Sequence, residues 1–179
     1  NNVPMIYLNM VGGQDDQMFD GGSFVLHCGG KLAVQSPLHE TAIAHVDFTL
    51  TEDGWQASSG EKATVPDSIE QDYRVMVEAL RDYMRKTGFK KVLLGLSGGI
   101  DSAIVAAIAT DALGAESVRC VMLPSEYTSQ ASLDDAAAAA KALGCKYDTV
   151  NIAGPRAAVT QALSPLFEGY DADLTEENI

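Results

Sequence analysis

Positively charged residues are scarce in this sequence of 179 residues, which has 12 lysines and arginines against 25 aspartates and glutamates. The net charge of −13 argues against a protein that binds nucleic acid or an anionic membrane by neutralising phosphates. Long apolar runs are lacking too, and the longest, residues 103–109, is far shorter than a segment that crosses a bilayer. The first residues lack the basic and then apolar pattern of a signal peptide. We therefore expect neither nucleic acid nor a membrane among the partners.

Cysteine is also rare and occurs only at positions 28, 120 and 145. Three such widely spaced cysteines suit neither a disulfide framework nor a zinc site, which favours a reducing, cytoplasmic location. We expect all three to be packing residues, including Cys28, which follows a strand and precedes a turn. The apolar content of 46% and the mean hydropathy of +0.01 are ordinary for a globular protein with a sizeable core.

The first 60 residues have the pattern of short strands joined by tight turns. Apolar or β-branched runs occupy residues 3–10, 23–27, 31–35 and 43–49, and glycine pairs lie between them at 12–13, 21–22 and 29–30. Residues 50–66 lose this pattern and collect glycine, serine, threonine, acids and a proline, which is typical of a linker. We therefore predict a domain boundary near residue 60.

A different pattern follows this boundary. A helix is predicted from Asp67 or Ser68, either of which can cap it, to Gly88 as the residue that ends it. After it, strands are predicted at 91–96, 118–123 and 147–152, with helices at 101–113 and 132–143 between them. Strands that alternate with helices across short loops indicate an α/β fold with a doubly wound parallel sheet.

The segment 95–102 lies between the first of these parallel strands and the helix that follows. Such a turn is at the carboxyl edge of the sheet, where the start of the helix offers unpaired N–H groups and a positive dipole. Adjacent glycines let the backbone form a concave nest around a pyrophosphate, and two serines can add hydroxyl donors. An acid suits such a nest as a Mg²⁺ ligand, because Mg²⁺ bridges carboxylate and phosphate oxygens. The candidate nucleotide-binding residues are Gly95, Leu96, Ser97, Gly98, Gly99, Ile100, Asp101 and Ser102, with Asp101 also the candidate metal ligand.

A purely structural role is the alternative for the glycines alone, which would relieve a cramped turn ahead of a first-turn acid. The segment has neither the lysine of a Walker A loop nor the third glycine of a dinucleotide fingerprint. Ser-Gly-Gly-x-Asp-Ser as a unit resembles the PP-loop of the ATP pyrophosphatases, whose fold is called adenine nucleotide α-hydrolase-like. That resemblance implies cleavage of ATP between the α- and β-phosphates, with adenylation of a second substrate.

Three flanking segments resemble the glutamine-dependent NAD synthetases. Residues 121–136 resemble the loop after the second strand in that family, which lies near the ATP site. Residues 175–179 resemble the segment where the family places an asparagine on the nicotinate substrate, so Asn178 is a candidate substrate-binding residue. Residues 11–24 resemble the late part of the nitrilase-like αββα glutaminase domain, which implies that Gln14 and Asp15 lie beside the glutaminase pocket; a plain turn is the equal alternative.

The resemblance implies a function for two domain portions. Residues 1–60 would be the C-terminal part of a nitrilase-like glutaminase domain with its linker, and residues 61–179 the N-terminal part of a synthetase domain. The whole enzyme would use ATP and Mg²⁺ to convert deamido-NAD to NAD with glutamine-derived ammonia through an NAD-adenylate, and would form homo-oligomers. No catalytic residue is assigned, because the family's cysteine, glutamate and lysine precede the matched segment.

Two other functions stay open at this point. One is a different PP-loop enzyme, such as a GMP synthetase or a tRNA-sulfurating enzyme, although the acidic charge disfavours tRNA. The other is an inert interface fragment, since the sequence begins without methionine and stops within a helix-start pattern at 175–178. We therefore expect both ends to be cuts, and we expect this chain to bind ATP weakly and not to hydrolyse glutamine.

Overall fold

A computed structural model describes residues 3–169 of the chain. The chain divides into two compact units, Asn1–Gly88 and Phe89–Ile179, and each is considered by itself. Within the described residues, no helix is both long enough and apolar enough to cross a membrane.

Over residues 3–88, the first unit contains seven short strands, all paired antiparallel. Strand β1 (Met5–Tyr7) pairs with β4 (Phe24–Leu26), which pairs with β5 (Leu32–Gln35). Strands β2 (Val11–Gln14) and β3 (Gln17–Asp20) form one hairpin, and β6 (Phe48–Thr51) and β7 (Gly54–Ala57) form another. A small core holds this part together, made of Val25, Ala33, Val34 and Ala57 with Val46 and Phe48 packed against it.

The structure corrects two expectations for this unit. Residues 50–66, expected to be a linker, contain most of the β6–β7 hairpin, because the chain turns at Glu52 and Asp53 and Gly54, the first residue of β7, takes a φ of 99°. The predicted strand at 43–49 accordingly begins only at Phe48. Gly12 and Gly13, expected in a turn, lie inside β2, and the turn of that hairpin is formed by Asp15 and the residue after it.

A long helix completes the first unit. Helix α1 (Ser68–Thr87) begins as predicted at an Asp67 cap, whose carboxylate accepts from the N–H of Glu70 at 2.9 Å. It ends at Gly88, whose φ of 80° allows the chain to leave the helix. The helix packs against the β2–β3 hairpin, and the predicted helix is confirmed.

One carboxylate fastens this helix to the hairpin. Asp82 on α1 is only 2% exposed, and it accepts a 2.8 Å hydrogen bond from the N–H of Gly13. Arg85 and Lys86, one turn along α1, both pair with it. These hydrogen bonds and charges hold the pKa of Asp82 far below its usual range.

The second unit has the parallel sheet that the sequence predicts. Strands β8 (Val92–Gly95), β9 (Val118–Met122) and β10 (Lys146–Thr149) pair in parallel in the order β8-β9-β10. Helix α2 (Ile100–Leu113) connects β8 to β9, and α3 (Gln130–Leu143) connects β9 to β10. The two helices pack against each other and against the sheet, so the α/β class is confirmed.

Small side chains let these helices pack closely. Helix α2 buries Ala106 and Ala109 almost completely, and α3 does the same with Ala136 and Ala140. Val118, Cys120 and Met122 of β9 are buried as well, and so is Leu96 just after β8. The alanine-rich stretch of α3 therefore serves packing as well as helix formation.

The structure adds a helix that the sequence did not predict. Helix α4 (Ala153–Leu163) carries Gly154 and Pro155 in its first turn, residues that usually indicate a loop. Proline is tolerated there because first-turn N–H groups have no partner within the helix. The Asn151 side chain accepts from the N–H of Ala153 at 2.8 Å and so supports this start. The helix start predicted at 175–178 lies outside the described residues.

Candidate functional site

The candidate loop begins where β8 ends at the carboxyl edge of the parallel sheet. Leu96 continues the pairing by donating its N–H to the carbonyl of Val121 at 2.9 Å, and its side chain is 1% exposed. Gly99 is the N-cap of α2 and Ile100 its first residue. No side chain in the described part of the chain caps this helix, so its first-turn N–H groups remain free of intrahelical partners. The loop thus presents backbone donors and the positive end of α2 at the sheet edge.

The two serines of the loop bind to the loop itself. Ser102 Oγ accepts from the N–H of Ser97 at 3.1 Å and donates to the carbonyl of Gly99 at 3.0 Å. Ser97 Oγ lies 3.0 Å from Ser102 Oγ and accepts from the N–H of Gly99 at 3.3 Å. Both hydroxyls, expected as donors to a phosphate, therefore also hold the backbone in its curve.

Of the two adjacent glycines, only Gly98 has no room for a side chain. Its φ is 84°, and a Cβ there would lie 2.3 Å from the carbonyl oxygen of Ser132 on α3. Gly99 has a φ of −83°, and a Cβ on it would make an ordinary 3.5 Å contact with Ser97 Oγ. Glycine is therefore required at position 98 by both backbone conformation and close approach of α3.

A groove of about 430 Å³ adjoins this loop. It lies between the ends of β8 and β9 and the segment that leads into α3. Its lining residues are Gly95, Leu96, Ser97, Val121, Met122, Leu123, Tyr127, Thr128, Ser129 and Ser132. The loop thus borders a cavity of the size that small-molecule sites typically have.

Asp101 is exposed in the first turn of α2, at the mouth of the loop. Across residues 3–169, no group of three or more histidines, cysteines or acids is close enough to hold a metal. A lone exposed carboxylate nevertheless fits Mg²⁺, which commonly takes one or two protein carboxylates and completes its shell with phosphate oxygens and water. Asp101 is therefore suited to a metal that arrives with a nucleotide.

Sequence analysis missed one cluster at the groove, formed by Arg156 on α4 with Glu126 and Tyr127. Arg156 Nη1 lies 2.6 Å from Glu126 Oε1, and Nη2 donates to the Tyr127 hydroxyl at 3.3 Å. The guanidinium carbon also lies 4.7 Å from the centre of the Tyr127 ring. The hydrogen bond from Arg156 lowers the pKa of Glu126, and Glu126 raises the pKa of Arg156. The one sequence feature that could have drawn attention to Arg156 is that it is the last basic residue of the chain.

The other candidate residues lie elsewhere. Gln14 ends β2 and Asp15 lies in the turn of the β2–β3 hairpin, and their place beside a glutaminase pocket stays a prediction. Cys120 is fully buried, and burial raises the pKa of its thiol to about 11, which suits a packing residue. Asn178 lies outside the described residues.

Comparison with known proteins identifies the family. A family model described as NAD synthase matches residues 72–179, which include the loop, the groove and α4. The chain belongs to the NAD synthase family. The match begins inside α1, whereas the division into compact units falls after α1, so the predicted boundary near residue 60 stays a prediction.

Individual relatives extend the similarity over the whole chain. It is 60% identical to a protein of Rhodobacter capsulatus and 42% identical to one of Acinetobacter baylyi, both named glutamine-dependent NAD(+) synthetase. Each alignment covers 99% of this chain and 32% of the relative. A solved structure of glutamine-dependent NAD+ synthetase from Acinetobacter baumannii, in complex with ADP, matches with a TM-score of 0.91 and 41% identity, covering 99% of this chain and 33% of that one. The resemblance to glutamine-dependent NAD synthetases is thus confirmed, and the chain spans about a third of the length of these relatives.

Proposed function

We propose that this protein acts in the ATP-dependent amidation of deamido-NAD to NAD with ammonia from glutamine. The reaction would pass through an NAD-adenylate and release AMP and pyrophosphate. The observation that carries the proposal is the 95–102 loop, which presents the start of α2 and a left-handed Gly98 beside a groove of about 430 Å³. Membership of the NAD synthase family and the names of the relatives support it.

The loop would contribute placement and charge stabilisation. Backbone N–H groups at the start of α2 would bind the pyrophosphate part of ATP, because that end of the helix carries a partial positive charge. Ser97 and Ser102 would hold the curve of the loop, and their hydroxyls can turn towards a phosphate oxygen. Asp101 would hold Mg²⁺, which neutralises negative charge between the carboxylate and the phosphates. No covalent catalysis by the loop is required.

The remaining parts of the proposal concern the rest of the protein. Residues 1–60 would belong to a nitrilase-like glutaminase domain with its linker, and residues 61–179 to the synthetase domain. Asn178 would contact the nicotinate part of the substrate. A cytoplasmic location and homo-oligomeric assembly belong to the same proposal. None of the described residues is assigned a role in glutamine hydrolysis.

Calorimetric titration with ATP in the presence and absence of Mg²⁺ tests the role of the loop. Mg²⁺ is expected to increase the affinity of wild type for ATP, and this increase is expected to be lost in Asp101→Ala. Asp111→Ala is the matched control, because Asp111 is also exposed on α2 but lies near the other end of the helix. Equal Mg²⁺-dependent binding by wild type and Asp101→Ala would contradict the assignment.

An assay of glutamate release tests whether this chain hydrolyses glutamine. We expect the 179-residue chain to bind ATP but to release no glutamate, because no residue in it is assigned to the glutaminase reaction. Glutamate release above that of a buffer blank would show that the chain holds glutaminase residues that we have not recognised.

A further inference from the structure

We propose that the Tyr127 ring is the platform on which the purine base of the nucleotide stacks, and that Arg156 is the positioning residue that holds this ring. The inference rests on the proposed function, since it takes the groove to be the ATP site. It adds a base subsite to the phosphate subsite formed by the 95–102 loop.

Tyr127 lies in the groove beside the 95–102 loop. Tyr127 and Ser97 line the same groove from different elements, so a ligand with its phosphates at the loop can reach the ring. The Tyr127 residue remains 53% exposed although Arg156 lies over one face of its ring. Tyr127 therefore keeps more than half of its surface exposed with Arg156 in place, so a planar group can approach the ring from the groove.

Arg156 holds the Tyr127 ring in place. The Arg156 side chain is only 15% exposed. Its guanidinium carbon lies 4.7 Å from the centre of the Tyr127 ring, and its Nη2 donates to the Tyr127 hydroxyl at 3.3 Å. A guanidinium over a ring face attracts it electrostatically, and the hydrogen bond fixes the direction of the ring. A ring placed in advance loses less conformational entropy when a ligand stacks on it.

The backbone around Tyr127 is fixed as well. The N–H of Ser125 donates to Thr128 Oγ1 at 3.0 Å, and the N–H of Thr128 donates to the carbonyl of Ser125 at 3.1 Å. The N–H of Tyr127 donates to Ser125 Oγ at 3.3 Å. The ring is thus set both by a closed turn in its own segment and by a side chain from α4.

Arg156 also balances a negative charge beside the groove. Glu126 is 65% exposed at its side chain and would repel a polyanionic nucleotide if it had no partner. Arg156 pairs with it at 2.6 Å and cancels this charge beside the groove. Arg156 therefore serves the site twice, through the position of the ring and through neutralisation of Glu126.

The chemistry of the platform defines which ligands it favours. Every base can stack on an aromatic ring through its π-face, and the two fused rings of a purine offer a larger face than the single ring of a pyrimidine. The platform is therefore expected to favour ATP over a pyrimidine nucleotide, and to contribute nothing to binding of inorganic tripolyphosphate, which has no base.

Calorimetric titrations with ATP and with inorganic tripolyphosphate, both with Mg²⁺, test the proposal on the full 179-residue chain. Tyr127→Ala is expected to weaken ATP binding about tenfold, a typical loss for one stacked base, and to leave tripolyphosphate binding unchanged. Tyr127→Phe keeps the ring and should bind ATP nearly as wild type does. Tyr83→Ala is the matched control, because Tyr83 is similarly exposed but lies on α1.

Variants of the cluster test the positioning role of Arg156. Arg156→Ala is expected to weaken ATP binding several-fold, and Arg156→Lys to restore part of it because a cation remains over the ring. Glu126→Gln combined with Arg156→Ala should also recover part of the affinity, since it removes the unpaired charge. A role of Arg156 in stability alone would give no such recovery.

The possible outcomes separate this inference from the function on which it rests. ATP and tripolyphosphate binding to wild type, with ATP affinity unchanged in Tyr127→Ala, would overturn the platform and leave the proposed function intact. An equal loss of affinity for ATP and for tripolyphosphate in Tyr127→Ala would also overturn it, because the ring would then support the structure of the phosphate-binding loop and not the base. Binding of neither ligand by wild type would overturn the proposed function and the platform with it.

Discussion

The two compact units of the chain reach their structures by different means. In the first, a contact between residues 69 positions apart, Gly13 and Asp82, fastens the helix to a hairpin through a buried carboxylate. In the second, the loop of the candidate site is shaped mainly by hydrogen bonds among Ser97, Gly99 and Ser102, which are at most five positions apart. A function carried by a short segment can therefore be recognised in the sequence, whereas a long-range polar contact cannot.

The loop of the candidate site also depends on one contact between residues that are far apart in the sequence, Gly98 and Ser132. Among the substitutions predicted for this protein, Gly98→Ala should lower stability the most, because it disrupts this contact. The new Cβ would collide with the backbone of Ser132 and would sit at a φ of 84°. We expect a loss of about 3 kcal/mol in the free energy of unfolding, measured by urea titration with circular dichroism, together with loss of ATP binding.

Gly99→Ala is the control for this substitution. Its φ is negative and its Cβ would meet only the Ser97 hydroxyl at 3.5 Å, so we expect a change below about 1 kcal/mol. Equal effects of the two substitutions would contradict the conclusion that close approach of α3 requires glycine at position 98.

The buried carboxylate of the first unit should give the next largest effect. Asp82→Asn keeps the shape of the side chain but removes the charge that Arg85 and Lys86 neutralise. We expect a loss of about 2 kcal/mol in the free energy of unfolding, below the range for a fully buried ion pair because both cations can regain water. Asp72→Asn, an exposed acid on the same helix, should change little. ATP binding should survive, since the site lies in the other unit.

The pH dependence of stability should give the smallest effect. The folded-state pKa of Asp82 lies below its unfolded value, so its contribution is complete above about pH 5 and is lost as the pH falls through about 4 towards the folded value. The difference in unfolding free energy between wild type and Asp82→Asn should therefore shrink from about pH 7 to about pH 3. A difference that stays constant over this range would show that Asp82 does not stabilise the first unit through its charge.

Much of the second unit could be predicted because its signals are local. Its parallel sheet follows from three apolar strands with helices between them, and α1 of the first unit likewise follows from its local caps, Asp67 and Gly88. The 95–102 loop follows from its composition and its place after a strand. Helix α4 could not be predicted, since Gly154 and Pro155 conceal its first turn, and Arg156 was missed with it.

The first unit was harder to predict because its strands depend on pairing between separate segments. Glycine marks turns in many sequences, but Gly12 and Gly13 lie in a strand that packs beside Asp82. The hairpin around Gly54 pairs residues whose composition is typical of a linker. In both cases, pairing with another segment overrides the preference of the residues themselves.

The sequence by itself determined the α/β class, the ends of α1 and the place of the 95–102 loop between a parallel strand and a helix. These depend on backbone preferences and hydrogen bonds within a few residues, which composition and spacing reveal. Only the tertiary structure decided that Gly98 meets Ser132, that Asp82 fastens α1 to a hairpin and that Arg156 holds Tyr127. The two residues of each pair lie 29 or more positions apart in the sequence, so each contact exists only once separate elements have packed together.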